Sequence, residues 1–300
     1  MKTTTKKKAS KAAAATVLVL RTSDKKGRGR GGFQWPTSGH VEAPDWVDDG
    51  ECGHGLHGLL WGCGNGRYLS DDHDAIWQVV RVLAADVRDL GEKIKFPRGE
   101  VVFSGDRSGA LAYLDAHGGA DRPVVYAART AGNCGTATAG YYGHATVGDY
   151  GIATAGNGGT ATAGNGGTAT AGDWGHATAG DWGHATAGDY GRATAGAYGH
   201  ATAGYYGHAT VGDYGIATAG DYGRATAGDW GHATAGAYGH ATAGDWGHAT
   251  AGDWGTISIR WWDAAAERGR VATGYVGENG IEADTAYKLD DKGRFVKDTP

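Results

Sequence analysis

Residues 131–258 divide into sixteen consecutive octads with no insertion, all in the register [Ala/Val]-Gly-x-x-Gly-x-[Ala/Ile]-[Thr/Ser]. Units such as AGDWGHAT (171–178) and AGDYGRAT (187–194) recur, and the sixteen residues AGYYGHATVGDYGIAT at 139–154 return verbatim at 203–218. Disordered low-complexity sequence lets repeat length drift, whereas stacked coils do not, so a constant period over 128 residues is a geometric statement. It predicts a β-solenoid. Composition agrees: 57 of 300 residues are Gly and only 5 are Pro, with 4 Phe and 1 Met. That Gly excess is neither collagen-like nor Pro/Gly-disordered, and the chain lacks the large aliphatic side chains of a thick core.

Within each octad the sixth to eighth positions and the first of the next read x-Ala-Thr-Ala. Strand alternation places both alanines on one face, inward, and the sixth position with Thr on the other. The Gly-x-x-Gly segment reads as the corner, its glycines supplying the positive φ of a turn. Two octads make the smallest closed coil, giving sixteen residues per coil and about eight coils at a rung spacing of ~4.8 Å. A three-sided coil of 24 residues is the alternative, but sixteen octads divide by two and not by three.

The fourth position is aromatic in thirteen octads: Tyr142, Tyr150, Trp174, Trp182, Tyr190, Tyr198, Tyr206, Tyr214, Tyr222, Trp230, Tyr238, Trp246 and Trp254. Such rings either shield the corners structurally or form an exposed stripe for self-association or glycans. The sixth position is His144, His176, His184, His200, His208, His232, His240 or His248 in eight octads, and Arg192 or Arg224 in two. The third position holds nine aspartates. Imidazoles on an outward row make the surface charge change between about pH 5 and 7. Spread along a flat face, they form no closed metal site.

The register, the aromatic ladder and the Thr-x-Thr units Thr136/Thr138, Thr160/Thr162 and Thr168/Thr170 resemble the octapeptide and sixteen-residue repeats of bacterial ice-nucleation proteins. The resemblance implies a flattened β-solenoid whose outward Thr-x-Thr rows order water and whose tyrosine ladder and terminal coils mediate assembly. It covers residues 131–258. His or Arg replaces the first Thr in ten octads, which interrupts a flat hydroxyl lattice. The calcium-binding nonapeptide repeats of secreted toxins are a weaker likeness, since their period is nine.

Residues 16–128 have ordinary composition and read as an α+β domain, with strands at 16–21, 77–83, 100–104 and 124–127 and a helix at 108–117. Residues 259–300 read as a β cap ending in a hairpin, with Trp261 and Trp262 available to cover the last rung or to form a dimer patch. Residues 1–15 are a basic tail. Residues 1–32 hold seven Lys and three Arg against Asp24, a net +9, so the rest of the chain must carry −14 of the overall −5. A solvated extension is the plainer reading of the tail, and contact with nucleic acid the other.

Cys52, His54, His57 and Cys63 could be a metal cluster, although C-x-H-x2-H-x5-C matches no common structural zinc spacing and a packed Gly-rich loop is the simpler account. FQWPTSG at 33–39, APDW at 43–46, CGHGLHG and EKIKFP at 92–97 resemble the N-terminal domain of bacterial and phage-associated proteins that carry similar arrays and have no assigned reaction. A further likeness, to ADP-ribosyltransferase-like folds, would assign Arg21, the Thr37-Ser38 pair, His57 and Glu100 to binding and acting on a nicotinamide dinucleotide. The Glu-x-Glu signature is missing there.

The longest apolar run, residues 12–20, is too short to span a membrane as a helix. Three cysteines, with no convincing signal peptide, point to a reducing, cytoplasmic setting. Two function classes remain. The first is a non-enzymatic structural or interaction protein that self-associates through its ladders or cap and needs no cofactor. The second is an N-terminal modifying enzyme with the solenoid as spacer, with ice binding as a further alternative.

Overall fold

The computed structural model describes residues 15–70 and 72–298. Nearly all of the expected basic tail lies outside them. The chain divides into two compact units, residues 1–120 and 121–300. Strand makes up 43% of the protein and helix 7%, which sets the class as mainly β.

The first unit is a seven-stranded antiparallel sheet of order β2-β7-β4-β1-β3-β6-β5. Its strands are β1 (Thr16–Ser23), β2 (Gly39–Glu42), β3 (Leu56–Leu60), β4 (Ile76–Leu83), β5 (Arg88–Asp89), β6 (Ile94–Phe96) and β7 (Arg98–Gly105). The run Val17-Leu-Val-Leu makes β1 apolar on both faces, so it takes the centre, paired with β4 from Thr16↔Leu83 to Ser23↔Ile76. Helix α1 (Arg107–Leu114) starts where the Asp106 side chain accepts the Gly109 N–H at 2.7 Å.

Two sequence expectations fail here. The last three residues of the Gly-rich CGHGLHG segment, Leu56 to Gly58, are strand β3 rather than loop. Gly58 lets it approach β1, because a Cβ there would lie 2.7 Å from the Leu20 carbonyl oxygen. Residues 124–127 are not a strand but a turn. Tyr126 sits at φ 57°, and its N–H donates to the Tyr141 carbonyl at 2.8 Å.

The second unit is a two-sided parallel solenoid. Strands β8 (Ala128–Ala131) to β23 (His248–Ala251), then β24 (Thr256–Asp263), alternate between two sheets. Partners are sixteen residues apart, as in His184↔His200↔Ile216, so two octads close each coil and the three-sided form is excluded. The alanines of both sheets face one another and are at most 4% exposed from Ala137 to Ala251.

The corner differs from the sequence reading in one respect. The residue at positive φ is the fourth-position residue, at 53–62° for all thirteen aromatics, and neither bracketing Gly. The glycines are required by closeness instead. A Cβ on Gly188 would lie 2.7 Å from the Asp173 nitrogen of the rung below, and one on Gly191 would lie 2.7 Å from the Ala187 methyl. The fourth-position N–H then donates one rung onward, as Trp174 does to the Asp189 carbonyl at 2.8 Å.

At the C-terminal end the open edges are taken by antiparallel strands. β25 (Arg268–Tyr275) pairs with β24 over its whole length, while β26 (Tyr287–Leu289) pairs with β23 and β27 (Phe295–Lys297) with β26. The interior is closed by buried Ile257, Ile259, Val276, Ile281 and Tyr287. Of the two expectations for the tryptophans, cover of the last rung is not met by Trp262, which is 57% exposed, while Trp261 lies against Gly293 of the last hairpin.

Candidate functional site

Four kinds of ladder run along the solenoid. Two follow its edges, and octad parity decides which edge a ring joins. Tyr142, Trp174, Tyr190, Tyr206, Tyr222, Tyr238 and Trp254 share one edge, and Tyr150, Trp182, Tyr198, Tyr214, Trp230 and Trp246 the other. Rings stack face to face from rung to rung, with Trp174–Tyr190 at 4.3 Å and 2° and Trp182–Tyr198 at 4.2 Å and 3°. Gaps in the pattern occur at Gly158 and Gly166, and there the rings of Tyr142 and Tyr150 lie over the Gly Cα, where a Cβ would strike them. Despite stacking, the thirteen rings stay between 36% and 75% exposed.

The sixth-position row divides by parity too. One face carries His144, Thr160, His176, Arg192, His208, Arg224, His240 and Thr256. The other carries Thr136, Ile152, Thr168, His184, His200, Ile216, His232 and His248. Imidazoles stack on the second face, His184 on His200 at 4.9 Å and His232 on His248 at 4.5 Å. Burial, then the flanking Arg224 and Arg192, pushes the His208 imidazole below its ordinary range. Burial also lowers His248, against the opposing pull of Asp298, whose Oδ2 is 3.2 Å from Nε2. The eighth-position row is unbroken threonine on both faces, from Thr130 to Thr242 and from Thr138 to Thr250.

The third position was legible only as negative charge. Its Oδ1 accepts the N–H of the third-position residue one coil onward, as from Asp173 to the Asp189 nitrogen at 3.0 Å and from Asp181 to Ala197 at 2.8 Å. Asn133, Asn157 and Asn165 make the same bond. The interchange of Asp with Asn was the available signal, since the two share an acceptor Oδ1 and not a charge. The first coil was also missed: Tyr126 stacks on Tyr142 at 5.3 Å and β8 pairs with His144–Val147, so the array begins before its Gly signature does.

In the first unit Arg21 and His57 line one cleft, but Glu100 is not in it. Glu100 sits on β7 and pairs with Arg81 at 3.1 Å, near the surface. Thr37 and Ser38 are exposed and do not line the cleft either. Cys52 accepts from Lys93 at 3.0 Å, and Cys63 points at the Trp61 carbonyl. No group of three or more His, Cys, Asp or Glu side chains among the described residues is arranged to hold a metal ion. Likewise, no helix among them is long and apolar enough to cross a membrane.

The fold and its rows define a two-sided octapeptide β-solenoid with stacked side-chain ladders. Its repeats are similar to those of ice nucleation proteins: one from Pseudomonas syringae is 44% identical over 101 residues, covering 33% of this chain and 8% of that protein. One from Xanthomonas campestris pv. translucens is 43% identical over 103 residues, covering 34% and 7%. The ice nucleation protein InaU of Pantoea ananas is 38% identical over 103 residues, covering 34% and 10%. The match thus spans a tenth or less of those relatives' lengths. No family model matches the chain, and no solved structure does.

Proposed function

We propose that the chain is a non-enzymatic structural protein whose solenoid associates with further copies of itself along its aromatic edges. The supporting observation is the pair of stacked, solvent-facing ring rows. Rows of exposed rings mark interaction surfaces more often than singly scattered ones do, and ring-on-ring packing adds about 0.5–1.5 kcal/mol per pair beyond area burial. Aspartates beside the rings oppose close approach of two edges, so salt should strengthen the association. A cytoplasmic location belongs to the same proposal, with three cysteines that form no disulfide.

Sedimentation velocity of the full chain across concentration tests it. Growth of a larger species with concentration and salt is expected, and it should be lost in Tyr150→Ser/Trp174→Ser/Trp182→Ser/Trp246→Ser. A monomer at every concentration and salt level would sink the reading.

Ice binding is the second reading, favoured by the threonine rows and by the relatives' name. Its clean lattice is confined to rungs such as Thr136/Thr138, Thr160/Thr162 and Thr168/Thr170, because His, Arg or Ile occupies the first row at the other rungs from His144 to His248. Droplet-freezing temperatures at or near those of buffer would reject it.

A further inference from the structure

The first unit holds a cleft of about 540 Å³ that the ladders do not involve, a size suited to a small organic ligand. Arg21 is at its base, 6% exposed. Its partners are all neutral: Nη1 donates to Gln78 Oε1, Nη2 donates to the Thr22 carbonyl at 2.6 Å, and the guanidinium lies 3.5 Å over the Trp35 ring. Nε has no partner, and no carboxylate pairs with Arg21 among the described residues. Burial alone lowers its pKa to about 9. A buried cation is ordinarily matched by an anion, because desolvation is costly unless compensated.

Cations outnumber carboxylates along the rest of the wall. Arg30 and Lys93 line it, and the one carboxylate, Asp45, is tied to the loop by accepting the Gly55 N–H at 3.1 Å. Phe33 and Tyr68 supply aromatic wall, with Lys93 4.6 Å over the Tyr68 ring. His57 is the second polar group left open. Its ring bonds the Gly55 backbone, while Nε2 is buried without a partner. Burial, then Lys93 and Lys95, holds this imidazole below its ordinary range, which favours the form whose Nε2 accepts a hydrogen bond.

From the unpaired Arg21, the cationic and aromatic walls and the open His57 acceptor, we infer that the cleft binds a nucleoside monophosphate. The phosphate meets Arg21, Arg30 and Lys93, the base lies against Phe33 or Tyr68, and a sugar hydroxyl donates to His57. The charge-assisted bonds orient the ligand, and the ring contacts distinguish it from a bare anion.

Isothermal titration of the full chain with AMP, UMP, adenosine and inorganic phosphate tests this. Saturable AMP or UMP binding is expected, at least tenfold weaker for adenosine and for phosphate, and at least tenfold weaker in Lys93→Gln and in Tyr68→Leu. Both variants lie at the rim, so their folds should survive. Arg21→Gln should abolish binding, and is read only if its circular dichroism matches the wild type. No binding of either nucleotide at millimolar concentration overturns the inference. So does phosphate binding as tightly as AMP, which would mark an anion site without a ring subsite, or wild-type affinity in both rim variants.

Discussion

Tyr198 offers the sharpest test of how the corner works, because its ring and its backbone pull in opposite directions. The ring is stacked between Trp182 at 4.2 Å and Tyr214 at 4.9 Å, both at 3°, while the residue sits at φ 58°. Tyr198→Ala removes two stacks, worth about 0.5–1.5 kcal/mol each, and should cost about 1–3 kcal/mol. Ala still bears the left-handed penalty of about 1–2 kcal/mol, which Gly does not. The greater freedom of Gly in the unfolded chain returns about 0.4–1 kcal/mol of that. Tyr198→Gly should therefore be more stable than Tyr198→Ala by up to about 1.6 kcal/mol, with a midpoint of about 0.8, although Gly is the smaller residue. Ala201, buried on the adjoining strand, supplies the control, since Ala201→Gly should destabilise. Urea midpoints followed by tryptophan fluorescence would rank the three. Tyr198→Gly falling at or below Tyr198→Ala would refute the assignment of backbone strain to the fourth position.

The acceptor role of the third position predicts that Asp173→Asn unfolds within about 0.5 kcal/mol of wild type, whereas Asp173→Ala loses about 0.5–2 kcal/mol by the same measurement. Gly188→Ala should cost more than about 2 kcal/mol or prevent folding, because the added methyl meets the Asp173 backbone; circular dichroism melts would show it. For His208 the folded pKa lies below the unfolded value, so the unfolded chain binds more protons in the window between them. Its stabilising contribution is present above about pH 6.5 and falls as the pH drops below it. His208→Gln should show a shallower loss of stability from pH 7.5 to 5 in denaturant titrations, and an unchanged slope would contradict the Arg192 and Arg224 environment.

Periodicity made much of this legible in advance. An unvarying octad fixes which residues face in, and an octad count divisible by two, with a duplication spaced 64 residues apart, points to two octads per coil; Ala185 and Ala201 are buried as alternation requires. The corner was harder. Glycines at the second and fifth positions look like carriers of positive φ, but the need that Gly188 meets is room for the neighbouring coil, which local pattern does not register. The Asp ladder was missed because a charge is visible in sequence and a partner sixteen residues away is not. Tyr126 escaped because Ala127 stands where the repeat has Gly, and only its stack on Tyr142 shows its place. In the first unit, Arg21 and His57 are 36 positions apart and meet through antiparallel pairing of β1 with β3, whereas Glu100 is carried away on β7.

If copies of this protein meet along the ring rows, the contact itself can be located. Photo-oxidation of the concentrated full chain couples tyrosines that lie against one another, and mass spectrometry assigns the linked pairs after digestion. Chains mixed from light and heavy isotope cultures separate links between copies from links within one. Light–heavy links are expected at Tyr150, Tyr190, Tyr198 and Tyr214, rising with salt. Links confined to single chains, or between copies only through Tyr68 or Tyr275, would contradict contact along the rows.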